Sequence, residues 1–405
     1  MSTRLTKSER FVAWLCQRAF LRLWTHPTPI GKNGKELSDC LIVCGPHIVI
    51  VSVKEIEYKD TGDKTGWLRW HKAAVEESAK QIWGAERWLH RSNRVLRSDG
   101  REITLPPENE RKYHRLSISL GGRGEVPIRW GDLGHGFVHV LEEQSVIKAF
   151  QELDTITDFV TYLAAVEGLF DKGIRVVFSG AGYEDLLALY VRAGPTFGLK
   201  GDDGQAPDRV IVTDGIWKAL VASSEYIERD EDLRSSYAWD RLIEYFVDDL
   251  LTDGMFDMHS KQVTKDELAL GAMALQPRAH RANLADAFLQ FLGPEGSRIA
   301  SRVVVAANET AFVFVSGDST DRDYRAQHLA LRCFVVRGRS GARTVVGIAT
   351  DRPEQGKVGY SSDILYLHMP IWTAEDAEKV DGIQRDLGYF KAVNWLGIAA
   401  TQVES

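Results

Sequence analysis

Three polar residues fall together at one end of a short, strongly apolar hairpin. Two runs rich in Val and Ile flank a Gly-Pro dipeptide, a pattern that predicts two strands joined by a tight turn. If Cys44 pairs with His47, Asp39 lies opposite Ser52, and Lys54 shares the face of Ser52. Opposed Cβ atoms in an antiparallel pair are about 5 Å apart, and diagonal ones roughly 7 Å. The pattern therefore predicts a carboxylate, a hydroxyl and an ammonium close together, which is typical of a functional site or of an ion pair.

The hairpin resembles the PD-(D/E)xK nuclease superfamily, which has the restriction-endonuclease-like fold. In that superfamily an Asp begins one strand and an acid-x-Lys triplet lies on the next; the acids hold Mg²⁺ (or Mn²⁺), and the Lys assists the attacking water. The resemblance implies that Asp39 binds the metal and that Lys54 orients the nucleophile or stabilises charge. The chain departs from the pattern at Ser38, where Pro is usual, and at Ser52, which replaces the acid of the triplet. Because Ser is a poor ligand, a second carboxylate must come from elsewhere, or the site is inactive.

The segments that flank the hairpin extend the resemblance. Residues 8–24 carry apolar side chains at helical spacing, with Ser8 as the predicted N-cap. Many members of the superfamily carry a metal-binding Glu on their first helix, and the resemblance assigns this role to Glu9. A long amphipathic helix is predicted from about residue 67 to 90, followed by a strand over 115–120. This order of helix, hairpin, helix and strand matches the superfamily core over roughly the first 120 residues.

The second predicted helix offers another candidate acid. Glu77 and Gln81 are four residues apart, so they share a helix face. The resemblance implies that Glu77 is a migrated metal-binding acid and that Gln81 helps to position DNA. Other acids also lie in reach of the hairpin end, one of which, Glu55, points to the opposite face from Lys54; they are Glu36, Glu55 and Glu57.

Each of these residues also has a purely structural interpretation. Asp39 and Lys54 would serve equally well as an ion pair, and Asp39 as a cap of the turn before its strand. Glu9 would be a first-turn acid favoured by the helix dipole. Glu77 would lie on a solvated helix face with Lys80 one turn away. The sequence leaves these alternatives open.

Composition excludes several protein classes. A chain of 405 residues exceeds one typical core, and 44% hydrophobic with 26% charged residues is an ordinary globular composition. No run of about 18 apolar residues predicts a membrane span, and the first residues lack the apolar core of a signal peptide. The four cysteines show no CxxC or zinc-ligand spacing. We therefore expect a reduced, cytoplasmic protein with no membrane partner.

Charge is distributed unevenly along the chain. A net charge of −7 is unlike that of proteins that coat nucleic acid. Basic residues nevertheless concentrate over 87–115, just after the second predicted helix, and Arg87, Arg91 and Arg94 are the predicted phosphate contacts. Alternatively, this is a basic loop balanced by its own acids. An acidic stretch over 225–253 would repel DNA or bind a basic partner, and the asymmetry permits self-association.

The whole chain is predicted to have an α/β (α+β) fold in three regions: a restriction-endonuclease-like domain over 1–150, a mainly helical region over 151–300 and an α+β domain over 301–405. The favoured hypothesis is a metal-dependent nuclease that hydrolyses phosphodiester bonds of DNA, in anti-phage defence or restriction, as a homo-oligomer or with a protein partner of such a system. The alternative is an inactive nuclease-fold scaffold or nucleic-acid-binding subunit of a larger complex. An unrelated enzyme built on the C-terminal sheet is a third hypothesis. A second carboxylate beside Asp39 would separate the first hypothesis from the second.

Overall fold

The computed structural model shows two compact units, the first comprising the described residues up to Glu231 and the second those from Asp232 onward. Both units mix helices and strands, so the predicted α+β fold is confirmed. The two units divide the chain at a different place from the three regions expected from the sequence. The structure describes residues 5–61, 64–122, 131–199, 207–252, 263–292, 299–306, 309–317, 322–351, 361–391, 393, 395 and 402–404.

The first unit begins with a helix and a hairpin and continues with alternating elements. Its helices are α1 (Lys7–Phe20), α2 (Lys64–His71), α3 (Glu77–Leu89), α4 (Glu143–Glu152), α5 (Ile156–Asp171), α6 (Tyr183–Ala193), α7 (Ile216–Val221) and α8 (Ser224–Leu233), which ends two residues into the second unit. Its strands are β1 (Thr25–Pro27), β2 (Cys40–Cys44), β3 (His47–Glu55), β4 (Arg94–Leu96), β5 (Glu102–Thr104), β6 (Lys112–Leu120), β7 (Gly131–Asp132), β8 (Phe137–Leu141), β9 (Arg175–Ser179) and β10 (Arg209–Thr213).

A mixed sheet of order β1-β2-β3-β6-β8-β7 forms the centre of this unit. The β2–β3 hairpin is antiparallel and pairs Cys44 with His47, as the sequence predicts. Strand β6 lies parallel to β3, and β8 lies parallel to β6. The predicted order of helix, hairpin, helix and strand is therefore present, and the last strand returns beside the hairpin.

The long second helix covers one face of this sheet. It runs through α2, a π turn over Lys72–Glu76 and α3, and so begins three residues before the predicted start. Its apolar side chains pack on alternate residues of the hairpin, for example Ile82 near Ile48 and Ile50 in a single buried cluster. Because side chains alternate between faces along a strand, Ser52 and Lys54 continue that same face beyond the apolar residues.

Helix α1 contacts β3 in the same unit, and it differs from the prediction at its N-terminus. The N-cap is Thr6 and not Ser8, because Thr6 and Glu9 form a reciprocal capping box. Ser8 is buried inside the helix, where its hydroxyl donates to the Glu55 carboxylate. The predicted cap was therefore wrong by two residues, while the position of Glu9 in the first turn is as expected.

The second unit is built on a five-stranded sheet of order β14-β13-β12-β11-β15. Strands β12 and β13 are parallel, and the remaining pairs are antiparallel. The interior strand β13 is buried along nearly its whole length, whereas the edge strand β14 is only half-buried. The elements are α9 (Ser236–Thr252), α10 (Lys265–Ala274), α11 (Arg278–Phe291), β11 (Ile299–Val305), β12 (Thr310–Gly317), α12 (Arg322–Ser340), β13 (Thr344–Asp351), β14 (Ser362–His368), α13 (Ala374–Leu387) and β15 (Gln402–Glu404).

Among the described residues, no helix is long and apolar enough to cross a membrane.

Candidate functional site

The polar end of the hairpin opens into a cleft of about 790 Å³ in the first unit. One wall is the loop that precedes β2, the other is a face of α3, and Glu9 of α1 and Ser52 of β3 complete the lining. The residues that line it are Glu9, Asn33, Lys35, Glu36, Leu37, Ser38, Asp39, Ser52, Gln81, Ile82, Gly84, Ala85 and Trp88.

Asp39 is fixed at the point where the loop enters β2. One of its carboxylate oxygens, Oδ2, accepts the backbone N–H of Val53 at 2.5 Å, and the Ser52 side chain lies beside the carboxylate. Partial burial raises the pKa of Asp39, while the Val53 bond and the charge of Lys54 act in the opposite direction. The carboxylate is therefore anchored across the hairpin from Ser52, in the place that the strand register predicts.

Glu36 supplies a second carboxyl group beside Asp39. The two side chains hydrogen-bond to each other, and the pKa of Glu36 is raised to about 7 by desolvation, by the charge of Asp39 and by the charge of Glu9. Although the residue as a whole is exposed, its side chain lines the cleft. Two carboxyl groups that share a small space raise each other's pKa in this way, because the charge of one disfavours ionisation of the other.

Sequence reasoning placed Glu36 within reach of the hairpin end but did not select it. Residue 36 lies in a loop, where no helical or strand periodicity indicates the direction of a side chain. Its spacing of three residues before Asp39, with both on the strand-entry loop, was the available signal.

Glu9 has a structural role and also lines the cleft. Its carboxylate accepts the backbone N–H of Thr6 at 2.7 Å, and its own N–H donates to the Thr6 hydroxyl at 3.2 Å. Its negative charge raises the pKa of both Asp39 and Glu36. The first-turn interpretation and the site interpretation are thus compatible for this residue.

Gln81 lies on the α3 wall and contacts the hairpin directly. Its side-chain oxygen accepts the Ser52 hydroxyl at 3.1 Å. Ser52, which takes the acid's position in the resembled motif, thus donates its one hydroxyl proton to Gln81 and lies beside Asp39. Lys54, two residues on, is half-buried, and its positive charge lowers the pKa of both Asp39 and Glu36.

Glu77 does not line the cleft, although Gln81 on the same helix face does. The Glu77 side chain is exposed and pairs with Lys80 at 2.6 Å. This partner is the main reason why the pKa of Glu77 is lowered, and the charge of Lys54 is among the smaller causes. The structure therefore gathers Asp39, Ser52, Gln81 and Glu9 and leaves Glu77 on a solvated face with its i+3 partner.

The basic stretch after α3 divides into residues with structural roles and residues at the surface. Arg87 and Arg91 are exposed, and Arg94 lies 3.7 Å from Glu102. Several of the others bind within the unit: Arg97 and Arg101 pair with Asp99, Arg111 donates to three backbone carbonyls, and Arg115 pairs with Glu86. All three predicted phosphate contacts, Arg87, Arg91 and Arg94, are exposed.

The donor set of the cleft matches a hard divalent cation held by few protein ligands. Among the described residues, no group of three or more His, Cys, Asp or Glu side chains is arranged as a metal cage. Mg²⁺ commonly takes one or two carboxylates and completes its shell with water and substrate phosphate. Asp39 and Glu36 meet that requirement once both are ionised, and Glu9 lines the same space.

Comparison of the sequence with protein-family models and with curated proteins gives no match.

Proposed function

We propose that this protein is a Mg²⁺- or Mn²⁺-dependent nuclease of the PD-(D/E)xK type that hydrolyses phosphodiester bonds of DNA. The observation that carries the proposal is the hydrogen-bonded pair of Asp39 and Glu36, at the end of the hairpin that carries Lys54. Glu36 supplies the carboxylate that the Ser-x-Lys variant lacks. The parallel pairing of β6 beside the hairpin supports the same fold assignment.

The proposal gives a role in this reaction to three residues that line the cleft, Asp39, Glu36 and Gln81, and to Lys54 on the neighbouring strand. Asp39, held by the Val53 N–H, and Glu36 would hold the cation. A divalent cation bound there would supply a lowered pKa for the attacking water and would offset phosphate charge. Lys54 stabilises the negative charge that develops on the phosphate, since its ammonium already acts on both carboxylates. Gln81 positions Ser52 and, through it, the end of the hairpin.

The proposal also covers the cellular location and the biological role of the reaction. A cytoplasmic location fits a chain whose four cysteines are all buried thiols. A role in anti-phage defence or restriction, with self-association or a protein partner, follows from the habits of the superfamily. Arg87 and Arg91 are the surface cations placed to meet a phosphate backbone beyond the cleft.

One observation favours a second function, that of an inactive nuclease-fold subunit. Ser52 stands where a metal-binding acid is usual, and its hydroxyl is already engaged by Gln81. In that case Asp39 and Glu36 hydrogen-bond to each other for structural reasons, and the cleft binds nucleic acid without cutting it.

The test is cleavage by the purified protein of linear DNA, circular DNA and RNA, with Mg²⁺ or Mn²⁺. Asp39→Ala and Lys54→Ala are compared with Glu77→Gln, the matched control outside the cleft. Metal-dependent cleavage that is lost in the first two variants and kept in the third supports the nuclease. Cleavage that survives in both Asp39→Ala and Lys54→Ala contradicts it, and nucleic-acid binding without cleavage by any form supports the inactive subunit.

A further inference from the structure

The α3 wall of the cleft carries an aromatic side chain, Trp88, two helical turns from Gln81. Gln81, Gly84, Ala85 and Trp88 line the cleft at the spacing of a single helix face. Seven residues of helix separate Gln81 from Trp88, a distance of about 10 Å along the axis. The wall therefore has a polar side chain at one end, only small residues in the middle and an aromatic ring at the other end.

The ring of Trp88 is open to the cleft on one side. Among the described residues it has no stacked or edge-on ring partner, whereas Trp83 packs against His135 and Trp67 against His71. It is half-buried, because its inner side packs on the core under the sheet while another part lines the cleft. A large aromatic surface that is anchored on one side and open on the other suits the stacking of a flat ligand.

Gly84 keeps the space beside Trp88 open. A Cβ atom built at Gly84 meets only the Arg87 guanidinium, at 3.9 Å, so packing against the rest of the protein does not require glycine here. Glycine in a helix interior costs about 0.5–1 kcal/mol relative to alanine. Without a side chain at Gly84, there is room for a planar group between Gln81 and Trp88. Such a group would explain why a glycine stands here despite this cost.

Cations stand next to the aromatic end of the wall. Arg87 precedes Trp88, and the backbone N–H of Arg91 donates to the Trp88 carbonyl at 3.0 Å, so both residues lie within one turn of the indole. Both are exposed. A stacked base together with its phosphate would therefore meet an aromatic surface and positive charge at the same place.

We propose that Trp88 stacks on a base of single-stranded nucleic acid whose backbone runs along α3 toward Asp39 and Glu36. This inference builds on the proposed function, because it specifies the substrate of the same cleft as single-stranded. A base inside a duplex has both faces covered by its neighbours, and only an unstacked base can lie on the indole. Trp88, Asp39 and Glu36 line the same cleft, so a base on the indole and the phosphate at the carboxylates would belong to one bound strand.

The test measures binding separately from cleavage. In an Asp39→Asn background, fluorescence anisotropy reports the affinity for a labelled DNA strand, for its RNA counterpart and for a blunt DNA duplex. Stacking on an aromatic residue typically contributes about 1–3 kcal/mol, so Trp88→Ala should weaken single-strand binding about 5- to 150-fold. Trp88→Phe should retain most of the affinity. Trp14→Ala is the matched control, because Trp14 is 54% exposed on α1 and does not line the cleft.

An abasic site moved along the strand locates the stacked base. At one position the loss caused by the abasic site and the loss caused by Trp88→Ala should not add, since each removes one partner of the same contact. If Trp88→Ala and its parent bind the single strands with equal affinity, the inference is overturned. It is also overturned if Trp88→Ala loses the same affinity for the duplex as for the single strand. Circular dichroism and thermal unfolding show whether Trp88→Ala is folded, and Trp88→Phe decides the question if it is not.

The two proposals fail in different ways. Metal-dependent cleavage that needs Asp39 but is indifferent to Trp88 retains the nuclease and removes the stacking. Trp88-dependent binding of a single strand, with no cleavage by the unmodified protein, retains the stacking and removes the nuclease.

Discussion

Replacing Glu36 with Gln should lower the cleavage rate and raise the free energy of unfolding, and both effects should depend on pH. The pKa of Glu36 is raised to about 7 from its usual 4.5, first by desolvation and then by the charges of Asp39 and Glu9. Metal binding requires the ionised carboxylate, so cleavage should rise with pH through this value. With a pKa of about 7, roughly a tenth of the Glu36 carboxyl groups are ionised at pH 6 and nine tenths at pH 8. At subsaturating Mg²⁺ we expect cleavage to increase about tenfold over that range.

The same shift has the opposite effect on stability. Because the folded-state pKa lies above the unfolded-state value, folding becomes less favourable as pH rises from about 4.5 to about 7. Glu36→Gln removes this cost above pH 7 and changes little at pH 4. One pKa unit corresponds to about 1.4 kcal/mol. Since Glu36 is partly open to solvent, screening reduces the expected gain in the free energy of unfolding at pH 8 to about 1–2 kcal/mol.

The assay combines initial cleavage rates with urea unfolding, each measured from pH 5 to 9 for the unmodified protein and for Glu36→Gln. We expect a variant that is more stable above pH 7, is close to inactive, and has lost the rise in rate near pH 7. Glu77→Gln, whose side chain pairs with Lys80 outside the cleft, serves as the control and should change neither curve appreciably. The reasoning is refuted if Glu36→Gln keeps the rate and pH profile of the unmodified protein, or if it is destabilised at pH 8.

Three further predictions concern the fold and the cleft wall. Burial lowers the pKa of His26 to about 3 and that of His47 to about 4. As pH falls below about 6.5, each histidine should therefore reduce the free energy of unfolding by up to about 1.4 kcal/mol per pH unit. In His47→Asn, urea unfolding should show a smaller dependence of the free energy of unfolding on pH. Arg325→Ala, which removes the buried ion pairs of Arg325 with Asp351 and Asp363, should cost about 3–5 kcal/mol in the same assay, and a loss below 1 kcal/mol would contradict this expectation. Gly84→Ala should stabilise the fold by about 0.5–1 kcal/mol, whereas Gly84→Leu should reduce single-strand binding; unchanged binding by the leucine variant would show that the wall is not used.

Local signals predicted the hairpin well because its register follows from one tight turn. The Gly-Pro dipeptide leaves Cys44 to pair with His47, and this pairing places Asp39 across from Ser52. The position of Glu9 was equally predictable, since an acid in the first turn of a helix depends only on neighbouring residues. The parallel pairing of β6 with β3 joins distant segments, and only the resemblance indicated that order.

The second carboxylate depended on information that local patterns do not carry. Glu77 and Gln81 share a helix face, but sharing a face does not determine how far along the helix the cleft extends. The cleft runs from Gln81 toward Trp88, away from Glu77, and Glu77 pairs with Lys80. Glu36 comes from a loop whose path is set by backbone contacts, such as the Leu37 N–H with the Pro29 carbonyl. A loop has no helix or strand periodicity from which the direction of a side chain could be predicted. Only the folded structure therefore shows that Glu36 lies beside Asp39.

The most direct test of the central claim is calorimetric titration of Mg²⁺, and in parallel Mn²⁺, into the unmodified protein, Asp39→Asn and Glu77→Gln at pH 8. The account predicts one divalent-cation site in the unmodified protein and in Glu77→Gln, and loss of that site in Asp39→Asn. Binding that persists unchanged in Asp39→Asn, or that is lost in Glu77→Gln, would contradict the assignment of the metal to the Asp39 and Glu36 carboxylates.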